Sequence, residues 1–345
     1  MDIKEIALVN GMRQLFIPHL NSISSYLPEG ARNWLELSGN FIPNSNSKKD
    51  YFEITLYDID EFIRAWAGDI VRLSSAAFET VGGITESVKN KKFLAWQMIQ
   101  YYYAAFFAAH STLKICSFGL IQINDRIIKN IFKRADSLSI SLANNIIKGI
   151  YCAKSDIATS KVIFYKVNKY DDSHRGLWHR YGDFLDVLNG ISVVTGQFDS
   201  SCVRHREMSE EYPLSIYSQL PLEDAEPISK RISTIKETIN AHGDNNWLSF
   251  VRNRINYNHH YGIWFPYKLF KDEYDSLISM HNLHLDNPLS KKLEYEHEFD
   301  LNEFVKCCQT IIAINREILF DLSYRHPSNK SFLNNGPLEL LNLQY

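Results

Sequence analysis

The sequence predicts a mainly helical protein, with a helical core, an N-terminal extension and a long mixed α/β insertion. Three observations predict it. Apolar residues recur at helical spacing in several long windows, one β-branched and aromatic run reads as a strand, and a stretch without helical period interrupts the pattern near the middle. With 345 residues, 45% of them hydrophobic, the chain is long enough to bury a sizeable core.

Composition then narrows the function classes. A formal net charge of -3 excludes a surface that is everywhere an electrostatic glove for nucleic acid, so any RNA site must be local. The 5 cysteines lack C-x-x-C spacing, which reads as buried thiols in a reducing compartment and not as a zinc cluster. No metal or cofactor is expected. The start, Met1-Asp2-Ile3-Lys4-Glu5, lacks the apolar core of a secretory signal, and no run approaches the roughly 20 apolar residues that span a bilayer. The expected location is the cytoplasm, with no membrane partner.

Residues 1–90 read as a partly helical extension. Up to residue 50 it is a peripheral lead-in ending in the turn formers Pro43 to Asp50, and a helix then runs from Ile59 to about Phe78, where Gly82-Gly83 should stop it. Residues 91–149 hold the first part of the core. Its strongest helix, Phe93 to Phe118, carries a broad apolar stripe with Gly119 as its C-cap. Ala104, Ala105, Ala108 and Ala109 leave a strip along which two helices, or two copies, can approach closely. A second helix, Asn124 to Arg134, sets Arg126, Lys129 and Lys133 against an apolar face. That basic face suits phosphate or simply water.

Residues 150–225 read as the insertion, with one short strand at Lys161 to Lys169. The stretch Asp171 to Asp186 is loop-like, with a short helix near Phe184 to Leu188. There His174, Arg175, Trp178 and His179 are candidates for stacking a base and holding its phosphate, an ordinary exposed loop being the alternative. Residues 226–325 hold the second part of the core, with helices at Ile228 to Ile239, Trp247 to about Tyr261 and Leu301 to Tyr324. Residues 326–345 form a loosely packed tail.

Chemistry concentrates in Ser249 to Gly262, SFVRNRINYNHHYG. On a helix Arg252, Asn256 and His259 fall at i, i+4 and i+7, and seven residues bring His259 back to within about 20 degrees of Arg252. Arg254 points elsewhere. A guanidinium offers a fixed fork of donors to a phosphate, and an imidazole can move a proton near neutral pH. The plainer alternative is a polar cap on a helix end. His281, His284 and Asp286 are a weaker metal candidate. No Gly-rich phosphate loop and no G-x-S-x-G elbow is present.

Arg252-Asn253 followed by His259 resembles the R-x4-6-H motif of HEPN (higher eukaryotes and prokaryotes nucleotide-binding) domains. The run Tyr101 to His110, YYYAAFFAAH, is similar to their aromatic and alanine-rich first core helix. The resemblance covers residues 90–120 and 228–324. It implies a HEPN-like helical bundle acting as a metal-independent RNA endonuclease, a toxin or antiphage defence effector. It further implies 2′-hydroxyl attack that leaves 2′,3′-cyclic phosphate ends, with Arg252 and His259 catalytic and Asn253, Asn256 and His260 in support. Candidate RNA contacts are Arg254, Tyr257, Arg126, Lys129, Lys133, His174, Arg175 and Trp178. The implied partners are an RNA substrate, a second copy of the chain, and an antitoxin or defence-system protein. The alternative is a non-catalytic HEPN-like module that dimerises or binds a partner or nucleotide.

Overall fold

The computed structural model describes residues 9, 12–13, 15–88, 93–142, 145–156, 159–167, 173–189, 222–269, 271–288 and 300–342. The protein is mainly helical, with one small antiparallel sheet. In chain order its principal elements are α1 (Gly30–Leu37), β1 (Phe41–Pro43), β2 (Tyr51–Leu56), α2 (Ile59–Val88), α3 (Leu94–Ile115), β3 (Leu120–Ile123) and α4 (Asp125–Ser137). There follow β4 (Gly149–Asp156), β5 (Lys161–Lys166), α5 (Ser173–Asn189), α6 (Leu222–Ile239), α7 (Trp247–Asn256), α8 (Lys271–Ser279), α9 (Leu301–Tyr324) and α10 (Pro337–Asn342).

Helix α3 is the axis of the molecule. It is apolar over most of its circumference: Tyr101, Tyr102, Ala104, Ala105, Ala108, Ala109 and Leu113 are buried, and only the stripe Trp96, Gln100, Tyr103, Phe107 and His110 reaches water. Helices α2, α5, α7 and α9 pack on it. Two polar contacts inside the core fix the neighbours: Ser74 on α2 shares a 2.7 Å hydrogen bond with Ser111, and Asn315 on α9 donates to the Thr112 hydroxyl at 3.2 Å. The alanine strip is therefore covered within the chain and offers nothing to a second copy.

Helix α2 runs straight through Gly82-Gly83, because tertiary packing outweighs the roughly 1 kcal/mol helix penalty of each glycine. Farther back on the same helix a glycine is required. Gly68 lies against the turn that opens α1, and a Cβ there would stand 1.9 Å from the Leu27 carbonyl oxygen. At the end of α3 the left-handed residue is Ser117 (φ 60), not Gly119; Gly119 instead makes room for Trp66, whose Cζ2 would lie 2.4 Å from an added Cβ.

The sheet has the order β1-β2-β5-β4-β3, every neighbouring pair antiparallel. The sequence reading found only β5. Strands from the expected extension (β1, β2), the first part of the core (β3) and the insertion (β4, β5) are thus one unit, with Phe52 opposite Phe164 and their rings stacked at 4.5 Å. From Ser173 the expected loop is helix α5, which takes in the short helix expected near Phe184 to Leu188 and buries Leu177, Trp178, Tyr181, Phe184, Leu185 and Leu188. Arg180 ties it to the sheet, donating to Cys152 Sγ at 3.0 Å and to Tyr165 and pairing with Asp183 at 3.2 Å.

Neither end of the described chain is peripheral. Met12, Leu15, Ile17 and Leu20 are buried, the Ile17 amide donates to Ile115 at the end of α3 at 2.9 Å, and Arg13 pairs with Asp321 of α9. At the other end α10 buries Leu338 and Leu341, so the tail is packed. Cys116, Cys152, Cys307 and Cys308 are free and buried; Cys202, with residues 190–221 of the insertion, lies outside the described residues. Among the described residues no helix is long and apolar enough to cross a membrane.

Two glycines of α2 give opposite expectations. Gly68→Ala should lower unfolding free energy by about 3 kcal/mol, the upper range of overpacking costs, since its obstacle is backbone. Gly83→Ala is exposed and meets nothing nearer than Gln100 Nε2 at 3.8 Å, so it should raise stability by about 0.5–1 kcal/mol. Urea titration of the two variants checks both signs.

Candidate functional site

Helix α7 forms because Trp247, Leu248, Val251 and Ile255 make an apolar stripe that packs on α3 and α9. Arg252 flanks that stripe and is carried inward, with 6% of its surface exposed. Its guanidinium lies 4.9 Å from the centre of the Tyr102 ring and 5.8 Å from that of Tyr103, both on α3. Arg252 Nε is buried without a hydrogen-bond partner.

The other buried Lys and Arg side chains among the described residues are Lys114, Arg180 and Arg316. Lys114 pairs with Asp69 at 2.9 Å, Arg180 with Asp183 at 3.2 Å, and Arg316 with Glu317. Among the described residues Arg252 has no carboxylate partner. A buried cation costs several kcal/mol in lost hydration, and cation–π contact with two tyrosines returns only about 0.5–2 kcal/mol apiece. Among the described residues the charge is met by ring faces and not by a carboxylate.

Tyr102 links this arginine to an imidazole. Its hydroxyl accepts from Trp178 Nε1 at 3.1 Å and shares a 2.8 Å hydrogen bond with His174 Nδ1, both on α5. Burial pushes the Tyr102 phenol up, opposed by Ser249, Trp178 and the Arg252 charge. His174 also packs 4.4 Å from the Phe106 ring centre, and His110 lies 4.9 Å from the same ring. Desolvation, with Lys114, His174 and Arg72 adding like charge, pulls His110 down to about 3, so it is a neutral imidazole at physiological pH.

The helix does not reach His259. It ends at Asn256, Tyr257 closes it through its amide to the Asn253 carbonyl at 2.9 Å, and His259 is left-handed (φ 52). The expectation that Arg252, Asn256 and His259 share one helical face is therefore incorrect for His259, and among the described residues no hydrogen bond or ring contact joins it to Arg252. His259 is exposed and lies flat on Trp264, the ring centres 5.0 Å apart and the planes at 21°. Trp264 Nε1 donates to the Ile255 carbonyl at 2.8 Å, which fixes the indole against the open end of α7. Arg254 reaches His260 Nδ1 at 3.3 Å, so this second arginine belongs to the exposed side of the motif.

Of the remaining candidates, Asn253 and Tyr257 are exposed and Asn256 is half-buried. Trp178 is corrected: it is fully buried as a core ring and presents no face to a base. Arg175 is exposed on α5, and Lys129 and Lys133 are exposed on α4, where Arg126 pairs with Glu36 at 3.3 Å. His284 is buried and bonds Gln309, a structural role that removes it as a metal ligand candidate. Sequence reasoning missed Tyr102, Tyr103 and His110 as site residues, although all three lie in the aromatic run it singled out.

The depressed His110 gives a pH expectation. An unfolded chain binds its proton near pH 6.5 and the folded one only near pH 3. Stability from this group is complete above about pH 6.5 and is lost progressively as pH falls toward 3. Thermal melts from pH 7 to 4.5 should show a decline that His110→Gln reduces; an unchanged slope would remove His110 as its cause.

No protein-family model, no curated protein and no solved structure matches this chain.

Proposed function

We propose that this chain is a HEPN-type, metal-independent endoribonuclease, with Arg252 holding the scissile phosphate and His259 moving the proton. The observation that carries the reading is Arg252, the one buried cation among the described residues without a carboxylate. Its support is the packing of α3, α7 and α9 against one another, the three segments on which the resemblance rests. In the step proposed, the imidazole takes the 2′-hydroxyl proton, the 2′-oxygen bonds to phosphorus, and the P–O5′ bond breaks. The 5′-oxygen takes up a proton, leaving a 2′,3′-cyclic phosphate and a 5′-hydroxyl. The guanidinium bears the charge that builds on phosphate.

Arg252 and His259 do not touch within one chain, so the reading includes a homodimer in which motifs from two copies face one cleft. A toxin or antiphage defence effector, restrained or triggered by a partner protein in the cytoplasm, is the setting that the HEPN resemblance supplies.

A second reading draws on a specific observation. Arg252 over Tyr102 and Tyr103 joins α7 to α3, and His259 lies beyond the helix end. That geometry suits a non-catalytic HEPN-like module that dimerises or binds a partner or nucleotide.

Incubation of the purified chain with total RNA in excess chelator separates the two. The nuclease reading expects fragments with cyclic phosphate ends and a loss of about a hundredfold or more in rate for both Arg252→Ala and His259→Ala. Arg254→Ala should cost about tenfold or less. Intact RNA with folded protein, or activity that returns only with magnesium or manganese, overturns the nuclease reading. Loss of folding in Arg252→Ala, with His259→Ala indistinguishable from the parent, favours the second one.

A further inference from the structure

Beside the motif lies an exposed aromatic surface that the proposed cleavage step does not use. Phe93 and Trp96, at the start of α3, are 60% and 53% exposed, and Phe265 is 83% exposed. The surface is continuous. Trp96 meets Trp264 edge to face at 5.7 Å, the Phe93 amide donates to the Tyr267 hydroxyl at 3.1 Å, and Tyr267 meets Phe265 at 5.8 Å. Large rings left open to water beside one another mark a binding surface and not a monomer's ordinary exterior.

Three observations choose its occupant. The Trp264 face already carries a flat nitrogen heterocycle, the His259 imidazole, at 5.0 Å and 21°, the geometry in which a base stacks. The indole is held in place by its hydrogen bond to Ile255, so it is preorganised. Charge agrees as well: residues 93–100 and 245–271, the segments in which these rings lie, contain no Asp or Glu but hold Arg254, Lys268, Lys271, His259 and His260 outside the core, in a chain of net charge -3, and Asp272 and Glu273 follow on α8. Aromatic faces with cations close by in the chain fit a polynucleotide whose bases are unpaired.

We propose that Trp96, Trp264 and Phe265, with His259 lying on the Trp264 face where a base would stack, form a platform on which successive unpaired bases of an RNA strand stack. The assignment rests on the reading of this chain as RNA-directed, and adds where the strand lies. Stacking is sequence-tolerant because every base has a π-face, so the platform selects single strands over duplexes without choosing among bases.

The test uses the full chain and a 2′-O-methyl uridine strand of about 12 nucleotides, a length within the usual single-strand site sizes. Lacking a free 2′-hydroxyl, this probe binds without being cut. The strand should quench tryptophan fluorescence and bind at least about tenfold more tightly than its duplex with a 2′-O-methyl adenosine complement. Trp96→Ala, at an exposed position, should fold normally and weaken single-strand binding by about tenfold. Trp96→Phe, which keeps a ring, should stay within about threefold of the parent. Equal binding of strand and duplex, or Trp96→Ala binding like the parent, overturns the platform. If light scattering shows a dimer that Trp96→Ala dissociates without altering strand affinity, the surface belongs to a second copy. The two readings fail separately: Trp96-dependent binding with no cleavage of ordinary RNA keeps the platform and removes the nuclease, and cleavage with Trp96-independent binding does the reverse.

Discussion

Helix α3 meets water along one narrow stripe only, and that constraint organises everything around it. An isolated helix gains little in water from propensity alone, so its stability comes from covering its apolar surface. Each large side chain buried contributes about 1.5–3 kcal/mol relative to exposure. Covering the rest of α3 takes α2, α5, α7 and α9, which come from widely separated parts of the sequence. The alanines at 104, 105, 108 and 109 are the other half of the arrangement, because they let neighbouring backbones approach while Tyr101, Tyr102 and Phe106 fill the space beside them. This is why the expected extension and insertion are not appendages: the core is incomplete without α2 and α5.

The same burial sorts the charges. Lys114 leaves α3 into the core, where it sits 3.9 Å over Trp66 and pairs with Asp69, whose carboxyl Lys114 and Arg72 hold below its ordinary range against the pull of burial. That pair ties α3 to α2, and Arg180 does the comparable work between α5 and the sheet. Arg252 makes a tie of a different kind, ring against guanidinium, and leaves its positive charge unbalanced. Since two cation–π contacts fall short of the hydration lost, the apolar stripe of α7 holds the arginine in place at a net cost. That imbalance is what the proposed phosphate-holding role of Arg252 rests on.

What the sequence made legible follows from how local each determinant is. Helices α3 and α9 were readable from end to end because each is long and carries its period throughout. Helix α4 was readable because Asn124 caps it, its side chain accepting from Ile127 at 2.9 Å. Helix α5 was missed because Gly176 and Gly182 sit among polar residues, yet Leu177, Trp178, Tyr181, Phe184 and Leu188 hold a helical period that a longer window would have caught. Strand β2 was similarly available in the alternation of Phe52, Ile54 and Leu56, all buried. The ending of α7 was not available. Nothing in Tyr257 to His260 forbids a helix, and the break is set by distant partners, Trp264 reaching back to Ile255 and the Lys268 amide closing on the Gly262 carbonyl at 2.8 Å.

That break divides the motif into two halves held in different ways. Arg252 is set by packing between helices, and its position could change only with the bundle. His259 is set by a loop that adopts left-handed backbone at His259, Tyr261 and Gly262. For the two non-glycine residues this costs roughly 1–2 kcal/mol each. A Cβ at Gly262 would meet Lys268 Cβ at 2.9 Å, so the loop tolerates little else at its turning point. The stacking of His259 on Trp264 and the Trp264 hydrogen bond are what offset that strain, and the first of these contacts is exposed and worth only about 0.5–1.5 kcal/mol. A flat ligand that replaced the imidazole on the indole would therefore free His259 at small cost. In the nuclease proposed above, the guanidinium fixed by packing would set where a phosphate sits, and the imidazole on its exposed loop would move the proton.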